Sequence, residues 1–328
     1  MPLNNYCAFL LAVFPAVFYY FCMKFIYGLL IFFLFSLSGC ASSAETGGEN
    51  LKGGANRVSG SPVFRITRDG NSMFIGGSVH VLRETDFPLP EAFDYAFSAS
   101  DALVLETDLD QMETPEALRY LSENMYLPSG KTLRTILSPQ VYQALNLVCL
   151  EYGLPIALLE SMKPSVVMNT LAVLQIESHG FGQLGVDYYY FEKAKEQNKP
   201  VVFLESVQTQ INAIVSMGEG YEDEYVMYSL ADMEETEEGI KTLVYEWRNG
   251  ITSGTEESLA EMYNSWPQIY KTMITDRHDA WFPQIDKFLA SGRTYFIIVG
   301  YMHLPGFYGL LQYLEDAGCV IEQITAGR

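Results

Sequence analysis

Two strings more than 200 residues apart are built alike: Phe74 to Leu82 (FIGGSVHVL) and Tyr295 to Gly306 (YFIIVGYMHLPG). In each, a β-branched and aromatic run stops at a glycine and presents a histidine three residues on, Gly77 to His80 and Gly300 to His303. Runs of this kind are strands, so any fold open to the chain must end two strands at a histidine. The chain has only four histidines. Finding two at equivalent strand exits points to one site assembled from both ends of the sequence. Imidazole is the commonest metal ligand and works as acid or base near neutral pH. Two hydrogen-bonded core histidines are the plain structural alternative.

The segments between alternate in type. Val63 to Thr67 and Met73 to Gly76 flank Arg68-Asp69-Gly70-Asn71, a hairpin signal. A helix over 90–99 leads to a buried strand, Ala102 to Glu106 (ALVLE). Thr114-Pro115 and Ser138-Pro139 each pair a capping hydroxyl with proline at the first helical position. Helices are predicted over 164–178 and 187–197, then a buried strand at Pro200 to Leu204 (PVVFL). One long helical stretch over 207–247 follows, a shorter helix over 256–263, and a long one over 267–289. Thr294 to Val299 (TYFIIV) is the central strand, 306–314 a helix, and Cys319 to Gln323 the last strand. Strands set between helices predict an α/β fold: a mixed central β-sheet flanked by helices, in a single domain over 62–328.

In such sheets ligands collect beyond the carboxyl ends of the strands. His80, Glu106, Glu205 and His303 each stand at or just past such an end. Two imidazoles and a carboxylate can hold a divalent metal and leave a position for water. His80, Glu106 and His303 are the candidate ligands, with Asp108, two residues past Glu106, as a further one. Manganese, cobalt and zinc all remain open. A second carboxylate, Glu205 or Glu84, is the candidate proton shuttle. Arg277 could bind a substrate carboxylate or an oxyanion through its planar fork, or pair with Asp276 or Asp279 on its own helix. The chain has no H-E-x-x-H and no G-x-S-x-G. Gly180 to Gly185 follows a helix rather than a strand and reads as a turn, with His179 at the helix end.

The first 39 residues read as an export signal. An apolar run, Phe25 to Ser36, ends in Leu37-Ser38-Gly39-Cys40, a lipobox, so Cys40 is expected to become a lipidated N-terminus. Met23-Lys24 stands directly before the run, which suggests a start at Met23. An uncleaved membrane-spanning helix is the alternative. Residues 40–61 are rich in Gly, Ser, Ala and Asn and read as a flexible tether. The expected location is the bacterial cell envelope outside the cytoplasm, at an outer membrane or the cell surface, with the lipid as the membrane contact.

Forty acidic against 20 basic residues give a formal net charge of -20. That balance argues against nucleic acid as a partner, because phosphate binding needs Lys/Arg patches. Much of the acid falls between Glu219 and Gly239, which reads as a solvated helical face. Cys149 and Cys319 are the cysteines of the mature chain, and both a disulfide and two buried thiols are open.

Taken in order, the first G-x-x-H, the strand ending Leu105-Glu106-Thr107-Asp108, Gly185-Val186-Asp187, Pro200 to Ser206 (PVVFLES), Arg277 with Trp281, and the second G-x-x-H resemble the TraB/GumN family. That family includes PrgY and the TIKI proteases, and the resemblance covers about 62–325. It implies a ChaN/TIKI-like fold, a membrane-associated or secreted domain, and metal-dependent cleavage of a peptide or protein substrate. His278 departs from the asparagine usual in the family at that place. The likeness to PrgY implies a second reading, a non-catalytic surface protein that captures a peptide. A looser likeness to ChaN-type lipoproteins implies a third, an anchored haem- or metal-binding protein.

Overall fold

The computed structural model describes residues 60–182, 185–234 and 236–325, without the side chains of 234 and 236–238. The expected leader, Cys40 and nearly all of the tether lie outside the described residues. No helix among the described residues is long and apolar enough to cross a membrane.

Six strands form one mixed sheet: β1 (Val63–Arg68), β2 (Asn71–Ser78), β3 (Ala102–Leu105), β4 (Val201–Phe203), β5 (Tyr295–Gly300) and β6 (Val320–Gln323). Their order across the sheet is β4-β3-β5-β2-β1-β6. The hairpin expected at Asp69-Gly70 joins β1 to β2, with Arg68 opposite Asn71 and Val63 opposite Gly76. β6 adds antiparallel to the other side of β1. β2, β5, β3 and β4 run parallel. β3 and β5 are buried at every position, as expected of parallel strands covered on both faces. β4 is one of the two edge strands and is only half-buried, where the apolar run PVVFL suggested full burial. Hydrophobicity alone does not distinguish an edge strand from a central one.

Because the four parallel strands are neighbours, their carboxyl ends lie along one rim. His80 follows β2, His303 follows β5, Glu106 follows β3 and Glu205 follows β4. At about 4.8 Å between strands, the four exits span roughly 14 Å of backbone. The rim therefore results from topology: the chain returns to the middle of the sheet with its fifth strand.

The described chain gathers in two compact units. One contains the whole sheet and comprises 60–107, Gly182–Glu205 and 234–325. The other, Asp108–Phe181 and Ser206–Met233, is helical. Its Pro164–Ser178 helix is buried at most positions, and Thr114 caps the Pro115–Asn124 helix by accepting from Ala117 N. The chain leaves the sheet-bearing unit after β3 and again after β4, so the helical unit consists of two insertions at strand exits.

The single long helix expected over 207–247 is three helices, Val207–Val215, Glu222–Glu234 and Thr236–Asn249. Gly218 and Gly220 break the first junction with φ of 74° and 90°, a backbone region that residues with a β-carbon rarely adopt. The expected helix over 267–289 is also interrupted. A π-helical turn, Lys271–Thr275, separates Pro267–Tyr270 from Asp276–Ala290. Cys149 and Cys319 are both free and buried. Burial pushes the Cys149 thiol up to about 12.

Gly77 is the glycine of the first strand exit, and close packing explains it. A β-carbon there would lie 2.6 Å from Tyr301 Cδ2 and 3.1 Å from the Tyr301 backbone. The indole of Trp247 donates to Gly77 O at 2.8 Å, and Gly77 N donates to Pro62 O at 2.8 Å. The residue is thus held on both backbone groups and has no room to shift. Gly77→Ala is expected to cost about 1–3 kcal/mol, the usual range for overpacking. The urea midpoint would fall, and an unchanged midpoint would refute this account of the site.

Candidate functional site

Gly300, the glycine of the second strand exit, is the floor of a cluster of polar side chains. A β-carbon built on it would lie 3.1 Å from His80 Nε2, 3.4 Å from Glu106 Oε1 and 3.4 Å from His303 Cδ2. Gly300 N donates to Glu106 Oε1 at 2.6 Å. His303 Nε2 is 3.7 Å from the same oxygen. Both histidines and Glu106 are buried. The strand exits thus deliver the two imidazoles and one carboxylate to a common point, which the missing side chain of Gly300 leaves open.

Arg277 ties the cluster together. Its Nη2 donates to Glu106 Oε2 and to Glu205 Oε1 at 2.8 Å. Its Nε donates to Glu205 Oε2 at 3.2 Å, and its Nη1 lies 3.1 Å from His303 Nε2. Trp281, one turn on, donates its indole N–H to Glu205 Oε2 at 3.0 Å, and its ring lies 4.4 Å from the guanidinium carbon. The neighbouring acids on this helix are engaged elsewhere: Asp276 pairs with Lys271, and Asp279 accepts from Tyr313 at 3.1 Å. An i→i+5 turn inserts one residue ahead of Arg277, and one residue turns a helix by about 100°. The π turn at Lys271–Thr275 thus sets which face of the following helix bears Arg277, His278 and Trp281.

Each histidine has an outer partner. His80 Nδ1 is 3.2 Å from Asp187 Oδ1, and Ser78 donates to that oxygen at 2.8 Å. Asp187 lies in the first turn of the Val186–Glu196 helix, where the helix N-terminus favours an anion. His303 Nδ1 is 2.9 Å from His278 Nε2, and His278 Nδ1 is 2.8 Å from Tyr308 O. Sequence reasoning left the role of His278 open and gave none to Ser78 or Asp187. The Gly185-Val186-Asp187 motif was the signal for the latter.

Burial opposes charge on every group here, and neighbouring groups decide the outcome. For His80, burial lowers the pKa, but the Asp187 carboxylate more than offsets it and the net direction is up. Asp187, though buried, is held below the usual carboxylate range by His80 and Ser78. Burial, with the Arg277 charge close by, holds His303 far below the ordinary histidine range, and burial pushes His278 down to about 4. For Glu205, burial raises the pKa, Arg277 lowers it, and Glu106 raises it again, so the net direction is up. One guanidinium faces two carboxylates and cannot fully neutralise both. Despite its burial, Arg277 is held firmly charged by Glu205 and Glu106.

The remaining sequence candidates stand otherwise. Asp108 caps the Leu109–Met112 helix, accepting from Gln111 N at 3.3 Å and from its side-chain amide at 2.8 Å. Glu84 is exposed in a short 3-10 turn. Neither shares in the hydrogen bonds of the cluster described above.

By chemistry the donor set suits a divalent ion: two imidazoles, His303 hydrogen-bonded to His278 behind it and His80 in ion-pair contact with Asp187, and a carboxylate. As placed, no group of three His, Cys, Asp or Glu among the described residues stands at metal-ligand spacing. Arg277 takes up lone pairs of Glu106 and His303.

The sequence profile of the TraB/PrgY/gumN family matches residues 62–323, which include every residue of the cluster. The chain belongs to that family. It is 26% identical over 259 residues to the uncharacterized protein YbaP of Escherichia coli (strain K12), covering 77% of this chain and 92% of the relative. The YbaP of Shigella flexneri is 25% identical over the same shares. No solved structure matches the chain significantly.

The depressed pKa of His278 has a consequence for stability. Between the unfolded value near 6.5 and the folded value of about 4, the unfolded chain takes up a proton that the folded chain refuses. Stability from this residue is complete above pH 6.5 and is lost as pH falls through that window, by about 2–4 kcal/mol. His278→Gln is expected to lose less stability than wild type on moving from pH 7 to 4, measured by denaturant midpoints. Equal losses in the two proteins would refute it.

Proposed function

We propose that this member of the TraB/PrgY/gumN family is a lipid-anchored hydrolase of the cell envelope that uses a divalent metal to cleave peptide or amide bonds. The observation that carries the proposal is the convergence of His80, Glu106 and His303 on the point a Gly300 β-carbon would occupy, with the Asp187 carboxylate behind His80, the kind of outer partner that metal-binding histidines have, and His278 behind His303. These three residues would hold the ion. When bound, it would acidify a water and polarise the scissile carbonyl.

The other side chains have separate tasks. Arg277 spans Glu106 and Glu205, so it orients both carboxylates and leaves the cluster short of full neutrality. A site with residual negative charge attracts a cation. Metal entry requires the guanidinium to release lone pairs of His303 and Glu106 while it keeps its two bonds to Glu205. Glu205 is the candidate acid-base group: its raised pKa suits a carboxylate that takes a proton from water and returns it to a leaving nitrogen. The Trp281 indole fixes the orientation of that carboxylate. Anchoring rests on the Leu37-Ser38-Gly39-Cys40 lipobox.

Elemental analysis of the full-length protein after gentle purification is the first test. Wild type is expected to retain manganese, cobalt or zinc, and His80→Ala, His303→Ala and Glu106→Ala to lose it without unfolding. Full metal content in all three variants would refute the ligand set. Glu205→Gln should keep metal and reduce turnover of a cleaved peptide by about 10²-fold or more. If wild type hydrolyses nothing in a broad peptide library with any of the three metals, yet binds a peptide, the capture reading replaces the enzymatic one.

Lipidation has its own test. Cys40→Ser should abolish incorporation of labelled lipid and leave an unprocessed precursor. Unchanged labelling would refute the anchor.

A further inference from the structure

The hydrogen-bonded row Arg277–His303–His278–Tyr308 has donors and acceptors fixed at both ends. A guanidinium can only donate, and a backbone carbonyl can only accept. Arg277 Nη1 lies 3.1 Å from His303 Nε2, so that nitrogen is the acceptor. Tyr308 O lies 2.8 Å from His278 Nδ1, so that nitrogen carries the proton. The central contact, His303 Nδ1 to His278 Nε2 at 2.9 Å, needs one donor and one acceptor. With both rings neutral, one assignment satisfies all three contacts: each ring is protonated on Nδ1 and bare on Nε2.

From this we propose that His278 is a positioning residue that locks His303 in the Nδ1–H tautomer and so keeps Nε2 without a proton, its lone pair accepting from Arg277, before any ligand is bound. The inference deepens the proposed metallohydrolase reading and rests on it for its purpose. The lock itself rests only on the hydrogen bonds. It opposes the intrinsic preference of an unconstrained histidine, whose neutral ring favours the proton on Nε2, the tautomer that would turn an N–H toward the cation and block coordination.

The fold supports the lock from two more directions. His278 and Trp281 are three residues apart on one helix, and both rings pack edge-on against His303, at centroid distances of 5.0 and 4.8 Å. His303 therefore cannot flip its ring to exchange its nitrogens without displacing them. The accepting carbonyl of Tyr308 comes from the stretch just after His303, so the row closes on the strand exit that began it.

A long-range ¹H–¹⁵N correlation on the metal-free, full-length protein in detergent micelles, labelled at the histidine ring nitrogens, reads the tautomer directly. The His303 signals can be assigned by their loss in His303→Gln. Wild type is expected to show His303 protonated at Nδ1 and bare at Nε2. His278→Leu should shift both nitrogens toward a mixture of tautomers. His278→Gln, which sets an amide oxygen where Nε2 stood, should restore the wild-type shifts, an effect that mere filling of space would not produce. A protonated His303 Nε2 in wild type overturns the proposal without any variant, as do unchanged His303 shifts in His278→Leu.

Cobalt titration then separates this inference from the reading it serves. His278→Leu should weaken cobalt binding by about 10-fold or more, as loss of an outer partner typically does. If wild type shows the locked tautomer but binds no cobalt, the metallohydrolase reading fails and the lock stands.

Discussion

A buried guanidinium bound to two carboxylates and an imidazole is the interaction on which the sheet-bearing unit turns. Arg277 brings together side chains from three adjacent strand exits: Glu106 after β3, Glu205 after β4 and His303 after β5. Burying a charge costs several kcal/mol unless it is fully paired. Here the geometry is bidentate toward Glu205, with a further bond to Glu106. The same charge adds to the burial that depresses His303 and opposes the burial that raises Glu205. One residue thus bears, together with burial, on the protonation of both a candidate ligand and a candidate proton carrier.

The cluster exists because of how the sheet is wound. Four parallel strands end on one rim, and the strand that reaches the rim last in the chain lies between the first two. That arrangement inserts His303 between the exits of β2 and β3, beside His80 and Glu106. Gly300 then keeps the space among them open, because a β-carbon at that position would press on His80 at 3.1 Å and touch Glu106 and His303 at 3.4 Å. The π turn ahead of Arg277 has a comparable effect on the opposing helix, by setting the angle at which it presents its polar face.

Outer partners complete the site. Asp187 serves His80 and His278 serves His303, one an anion at a helix start and the other a neutral ring wedged against a carbonyl. The difference has a physical result. His80 is drawn toward the protonated form and His303 is kept from it, so two histidines delivered by the same sequence motif face the site in different electrostatic states.

The sequence by itself determined the strands, the hairpin, the α/β class and the four rim residues, because strand exits are written locally: a β-branched run, a glycine, then a polar group. It determined too that His80 and His303 stand in equivalent contexts. Only the tertiary structure decided what those residues touch. Arg277 could have paired with Asp276 or Asp279 on its own helix, and Asp108 stood as near Glu106 in sequence as a ligand need be. The pairing depends on the register of a helix rotated by a π turn and on a capping bond at the start of Leu109–Met112. The roles of Asp187, Ser78 and His278 were hidden for the same reason: a hydrogen bond between residues 109 or 25 positions apart leaves no mark on the local pattern of either. The break of the long predicted helix at Gly218 and Gly220 was legible in the residues, but helical periodicity continued on both sides and masked it. Periodicity records which face is buried, and the φ angles at two glycines record where the chain turns.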